Sequence, residues 1–166
     1  MTHEQVLIVM GSASDLPVME AVKKTLDELN VSARMRIASA HRTPEAVDEM
    51  AKAARVQGVR VIIAGAGYAA HLAGVIASKT TLPVIGVPLA SSDLLGVDSL
   101  LSTVQMPPGI PVATVGIGKA GAKNAAILAA QIIAVTDESV QKALENQREK
   151  TADDVLQADR ELQLSE

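Results

Sequence analysis

The chain contains no cysteine, no phenylalanine and no tryptophan, and only one tyrosine, Tyr68. Without cysteine there can be no disulfide, no thiolate metal site and no thiol nucleophile. With so few aromatic rings it lacks the platforms on which single-stranded nucleic-acid binders stack bases. Positive charge is not in surplus either: 15 lysines and arginines against 19 acids leave a formal net charge of −4. That balance argues against a phosphate-backbone partner, so an anionic ligand has to be held by local donors. The histidines, His3, His41 and His71, are too far apart for a helical pair of metal ligands. No apolar run approaches about 18 residues, the length of a membrane span. The opening Met1-Thr2-His3-Glu4-Gln5 has no basic region leading into a signal sequence. The expectation is a soluble, cytoplasmic protein without membrane or nucleic-acid partners.

What is present is aliphatic. Hydrophobic residues make up 48% of the 166 positions and charged residues 20%, which places the chain among globular proteins. This length suits one domain, able to bury roughly two-thirds of the surface its unfolded chain exposes. Short β-branched runs alternate with longer helical ones. Val6–Met10 is a continuous apolar run of strand length, as for a strand covered on both faces. From Pro17 to Leu29, the positions of Met19, Val22, Leu26 and Leu29 predict a helix, with Asp15 where a cap is wanted. Ala33, Met35 and Ile37 alternate with arginines, predicting a second, less covered strand. Thr43-Pro44-Glu45 reads as a helix start, with Thr43 as N-cap and the helix running to about Gln57 before Gly58.

Further strands are predicted at Val59–Ala64, Pro83–Val87 and Val112–Ile117, and further helices at Ala69–Lys79, Asp98–Gln105, Lys119–Val135 and Asp137–Asp159. This alternation predicts an α/β fold: a three-layer αβα sandwich on a flavodoxin-like parallel five-stranded sheet, with an extra C-terminal helix. Residues 1–166 are read as one domain, its core about 6–135 and its helical, polar end about 137–166. The stretch Ala120–Ala134 is apolar around much of its circumference. Two explanations stand: contact with another subunit, or burial within its own fold.

In open parallel sheets, ligands bind beyond the carboxyl ends of the strands, near the point where strand order reverses. The segments following the strands are Gly11–Asp15, Ser39–Pro44, Gly65–His71, Ser91–Asp93 and Gly118–Gly121, and polar and glycine residues gather in them. Gly11–Asp15 enters a helix whose free amides and dipole favour an anion, with Ser12 and Ser14 adding hydroxyls. These three polar residues can equally be ordinary turn and capping residues. Asp15 suits ribose hydroxyls or the helix cap rather than a phosphate. The Gly-Lys-Ser/Thr ending of a P-loop is absent. His41 beside Arg42 is more specific, because a proton-transfer imidazole stands next to a cationic fork, with Ser39 nearby. His71 either binds substrate or caps its loop. Gly65-Ala66-Gly67 allows close approach of a ligand to backbone, as does any tight turn.

Gly11-Ser12-x-Ser14-Asp15, Ser39-Ala40-His41-Arg42-Thr43-Pro44 and Ala64-Gly65-Ala66-Gly67-x-Ala69-Ala70-His71-Leu72 together resemble the class I N5-carboxyaminoimidazole ribonucleotide mutases of purine biosynthesis. So do Gly96–Pro107 and Gly118–Ala126, and the resemblance extends from about Val6 to Val135. It implies a homo-octamer that converts the carbamate N5-carboxyaminoimidazole ribonucleotide into 4-carboxyaminoimidazole ribonucleotide without metal, ATP or organic cofactor. It implies transient CO2 and His41 as the acid–base residue. Ser12, Ser14 and Arg42 would hold the phosphate, and Asp15 the ribose. Ser39, the Gly65–Gly67 backbone and His71 would position the carboxylate or CO2, and Ala66, Gly67 and Leu72 would be among the substrate-binding positions. Two positions depart from the pattern: Tyr68 stands where many members have glycine or another residue, and Ala73 where proline is common. A direct aminoimidazole ribonucleotide carboxylase using CO2 and a non-catalytic nucleotide-binding module are the competing readings.

Overall fold

The computed structural model describes residues 4–164. Met1–His3 and Ser165–Glu166 lie outside the described residues, and with them His3 and most of the opening segment. Five strands form one all-parallel sheet: β1 (Val6–Met10), β2 (Ala33–Ile37), β3 (Val61–Ala66), β4 (Val84–Pro88) and β5 (Ala113–Thr114). Their order is β2-β1-β3-β4-β5. This is the flavodoxin-like arrangement expected, with the reversal of strand order at β1 and β3.

Every residue of β1 is fully buried, because the strand has a neighbour on each side and helices over each face. Val6, Ile8 and Met10 point into one core layer, with α1 (Leu16–Glu28) and α5 (Gly118–Ala134). Leu7 and Val9 point into the other, with α2 (Pro44–Ala53) and α3 (Leu72–Ala77). The two-residue period of the strand thus divides one apolar run between two cores. α4 (Val97–Val104) and α6 (Glu138–Gln163) complete the helices.

Several boundaries differ from the sequence reading. β3 begins later and runs through Gly65 and Ala66, which pair with Val87 and Pro88 of β4; Met19 from α1 packs over Gly65, where a Cβ would clash with its sulfur. The edge strand β5 keeps only Ala113 and Thr114 of the six residues Val112–Ile117, since the chain turns into α5 through Gly116 and Gly118 (φ 74°). α2 ends at Ala53, and looser turns follow until Gly58, whose φ of 87° ends the segment. Thr43 does precede α2, but its hydroxyl makes no capping bond there. α6 extends beyond Asp159 to Gln163, started by Asp137, whose carboxylate accepts from the amides of Ser139 and Val140.

The alanine-rich helix is covered by its own chain. Ala122, Ala125, Ala126, Ala129, Ala130 and Ile133 of α5 are fully buried in the core shared with β1 and α1. Alanine lets the helix approach closely, and at Gly121 even alanine is too large: a Cβ would overlap the Gly116 carbonyl. Gly121→Ala is therefore expected to destabilise the fold by about 3 kcal/mol, the upper range for overpacking against backbone that cannot retreat. Denaturant unfolding of the variant measures this directly.

Candidate active site

The loops after β1, β2 and β3 converge at the carboxyl end of the sheet around a cavity of about 520 Å³. It is lined by Gly11, Ser12, Ser14, Asp15, Ser39, Ala40, His41, Arg42, Ala66, Gly67, Tyr68, Ala69, His71, Leu72 and Ser91. All ten site residues read from the sequence are in that set: Ser12, Ser14, Asp15, Ser39, His41, Arg42, Ala66, Gly67, His71 and Leu72. Ser92, Asp93 and the Gly118–Gly121 segment do not line it, although they also follow strands.

The loop after β1 opens with one turn of 3-10 helix, Ala13–Asp15, before α1. A capping box closes this turn. The Ser12 amide donates to Asp15 Oδ2 at 2.9 Å, while the Ser12 hydroxyl oxygen accepts from the Ser14 amide at 3.3 Å. Ser14 also donates its hydroxyl to Ser12 Oγ at 3.0 Å. Asp15 does stand at the N-cap of α1, but its side chain makes no capping bond there; the capping box closes the 3-10 turn before it, and the same residues line the cavity. Asp15 is only 8% exposed, and that burial raises its carboxyl above the ordinary carboxylate value. The Ser12 amide, the Arg42 charge and the Gly11 amide pull in the opposite direction without cancelling the burial.

The loop after β2 is shaped by two hydroxyls. Ser39 Oγ accepts from the Arg42 amide at 3.2 Å and from Arg42 Nε at 3.4 Å. Thr43 Oγ1 accepts from the Ser39 amide at 2.9 Å and lies 3.2 Å from the Ser39 carbonyl, to which it donates. The hydroxyl expected to cap α2 therefore closes the loop that carries His41. Arg42 then reaches across to donate to the Gly11 carbonyl at 2.8 Å, joining the first two loops. Arg42 also lines the cavity, and a guanidinium is a side chain that can receive a phosphate.

His41 meets His71 from the third loop: Nε2 of His41 lies 2.8 Å from Nδ1 of His71. The rings are 5.0 Å apart between centroids and nearly perpendicular, at 84°. One ring must donate and the other accept, so at most one proton lies between them. The third loop is held from behind by α4. Ser102 Oγ accepts from the Ala70 amide at 2.9 Å and donates to the Asp98 carbonyl at 2.7 Å. At Gly67 a Cβ would collide with the Ser91 side chain, so glycine is needed for this close approach. Among the described residues, no three His, Cys, Asp or Glu side chains are grouped so as to hold a metal ion. No helix of the described residues is long and apolar enough to cross a membrane.

The model of the AIR carboxylase family matches residues 5–154. The chain belongs to the AIR carboxylase family. Within it, the protein is 56% identical over 155 residues to the N5-carboxyaminoimidazole ribonucleotide mutase of Bacillus subtilis, covering 93% of this chain and 96% of that one. It is 52% identical over 153 residues to the mutase of Escherichia coli, covering 92% and 90% of the two chains. A crystal structure of Treponema denticola PurE superposes with a TM-score of 0.85 at 31% identity, covering 95% of this chain and 97% of that one.

The two departures from the family pattern have structural readings. Ala73 is the second residue of α3, in the first turn, where proline is tolerated as well. Tyr68 has φ of 53°, a left-handed backbone that costs a non-glycine residue roughly 1–2 kcal/mol. Sequence reasoning noted Ser91 after the fourth strand but gave it no role. It belongs to the cavity wall, and only the packing of Gly67 against it reveals this.

Asp15 carries a pH prediction. The folded chain retains this proton above the unfolded value of 3.8, so ionisation of Asp15 subtracts stability as the pH rises through its higher folded pKa. Asp15→Asn keeps an oxygen for the Ser12 amide and removes the titration. The variant's stability relative to the parent is expected to increase as the pH rises from below 3.8 through that range, then level off. Urea unfolding across pH checks this; a difference that fell with pH would contradict it.

Proposed function

We propose that this protein converts N5-carboxyaminoimidazole ribonucleotide into 4-carboxyaminoimidazole ribonucleotide in purine biosynthesis, with His41 as the acid–base residue. The observation that carries the reading is the meeting of His41, Arg42, the Ser12–Asp15 turn and the Ala66–Leu72 loop around one cavity. The relatives named as this mutase, at 52–56% identity over most of the chain, support the substrate assignment.

The geometry suits the chemistry in parts. Ser12, Ser14 and the open side of the Arg42 fork receive the phosphate, and Asp15 accepts from ribose hydroxyls. This places the carbamate near His41. Its N–C bond breaks, CO2 is released, and His41 supplies the proton that the exocyclic nitrogen takes up. The electron-rich ring carbon then forms a C–C bond to the same CO2 and returns its proton to His41. One proton leaves the imidazole and one comes back, a duty suited to a side chain type that titrates near neutral pH. Ser39, the Ala66-Gly67 backbone, His71 and Leu72 keep the CO2 in place. Confinement matters because a held intermediate recombines instead of diffusing away.

The protein acts as one catalytic domain in the cytoplasm, and as a homo-octamer. The apolar surface for assembly is not the alanine-rich α5, which its own core covers. It is the outer face of α4 and the segment before it, where Leu94, Val97, Leu101 and Val104 are exposed at helical spacing. Light scattering is expected to give eight times the 17.2 kDa chain mass, and a monomer would remove this part of the reading.

The description of the family as AIR carboxylase favours one second reading, direct carboxylation of aminoimidazole ribonucleotide by CO2. Offering each substrate separately to the purified protein separates the two. Turnover of the carbamate without added bicarbonate is expected; activity only with aminoimidazole ribonucleotide plus CO2 would establish the alternative. His41→Asn is expected to fold normally and to lose about a thousandfold in kcat, within the usual range for general acid–base catalysis.

A further inference from the structure

Tyr68 is the only phenylalanine, tyrosine or tryptophan in the chain, and it stands at the cavity. Three non-glycine residues among those described have a left-handed backbone: Asn30, Tyr68 and Leu95. Only Tyr68 lines the cavity. Strain of this kind persists where the surroundings over-determine it, and here they do. Immediately before it, Gly67 packs against Ser91, and two residues after it the Ala70 amide is bonded to Ser102 Oγ. Tyr68 is 62% exposed. The loop thus keeps a large planar ring at the rim of a cavity otherwise lined mainly by glycine, alanine and serine.

We propose that Tyr68 is a substrate-binding residue, its ring packing face-on against the planar heteroaromatic ring of the ligand and closing the cavity mouth. This rests on the ribonucleotide reading given above. It adds a contact outside the residues that hold phosphate, ribose and carboxylate. It also accounts for a bulky side chain at a backbone position that glycine would occupy without strain. Tyr68 would make binding depend on the heterocycle as well as on the sugar phosphate.

The chain provides its own probe, because Tyr68 is the sole fluorescent side chain. Titration with 4-carboxyaminoimidazole ribonucleotide is expected to change tyrosine emission saturably. Ribose 5-phosphate, which lacks the heterocycle, is expected to bind without that change. Tyr68→Phe keeps the ring and should retain the parent KM. Tyr68→Gly and Tyr68→Asn both tolerate the left-handed backbone, and each should raise KM about tenfold with kcat little altered, the scale of one lost stacking contact. Neither should melt below the parent, which separates a binding role from a structural one. Parent-like KM in both ring-less variants would overturn the proposal and leave the mutase reading intact. Ribonucleotide binding, seen by calorimetry without any change in emission, would overturn it too. If the parent itself fails to bind the ribonucleotide, the functional reading falls, and this contact with it.

Discussion

The structure depends on the complete burial of β1. A strand with apolar side chains on both faces and a parallel neighbour on each edge cannot lie at the margin of a sheet. Pairing Val6–Met10 with β2 on one side and β3 on the other forces the strand order to reverse there. Connections on opposite sides of β1 then leave from the same end of the sheet and diverge. The space between them is the cavity. The candidate site is a consequence of how the core is satisfied, and no separate element builds it.

What turns that space into a chemical site is a small number of bonds between loops. Arg42 bonded to the Gly11 carbonyl fixes the second loop against the first. His41 against His71 fixes the second against the third. The hydroxyls of Ser39, Thr43 and Ser102 are spent on backbone groups, which positions the loops from within and from behind. Asp15 lies under this arrangement as a buried acid whose burial outweighs the amides and the cation beside it. Such a group adds little to stability at neutral pH. A perturbed acid at the rim of a cavity is a candidate for contact with a ligand.

Tight packing reaches the same rim. Met19 over Gly65 and Ser91 against Gly67 place the third loop to within the width of a methyl group. Tyr68 follows directly, in a backbone conformation that free peptides avoid. The loop is therefore closely packed at Gly67 and strained at Tyr68.

Much of this was legible in the chain itself. Strands and helices follow from period and from the glycine and proline positions, and the parallel order follows from their alternation. Nine of the ten candidate residues, all but Leu72, lie in the segments that the strand-end rule singles out, because loop position is a local property of the sequence. Leu72 came from the family resemblance, and all ten line one cavity. Other features depended on pairs of residues far apart in the chain. The burial of α5 by its own core was decided by Gly121 meeting Gly116 and by the helix packing over β3 and β4 and against α1. The contact of His41 with His71 and the place of Ser91 in the wall were likewise invisible, since no local pattern records which loops will touch. The sequence by itself determined which chemical groups gather at one rim, because period and strand-end position are written locally. Only the tertiary structure decided which of them touch, because contact between distant loops is settled by how closely the layers beneath them pack.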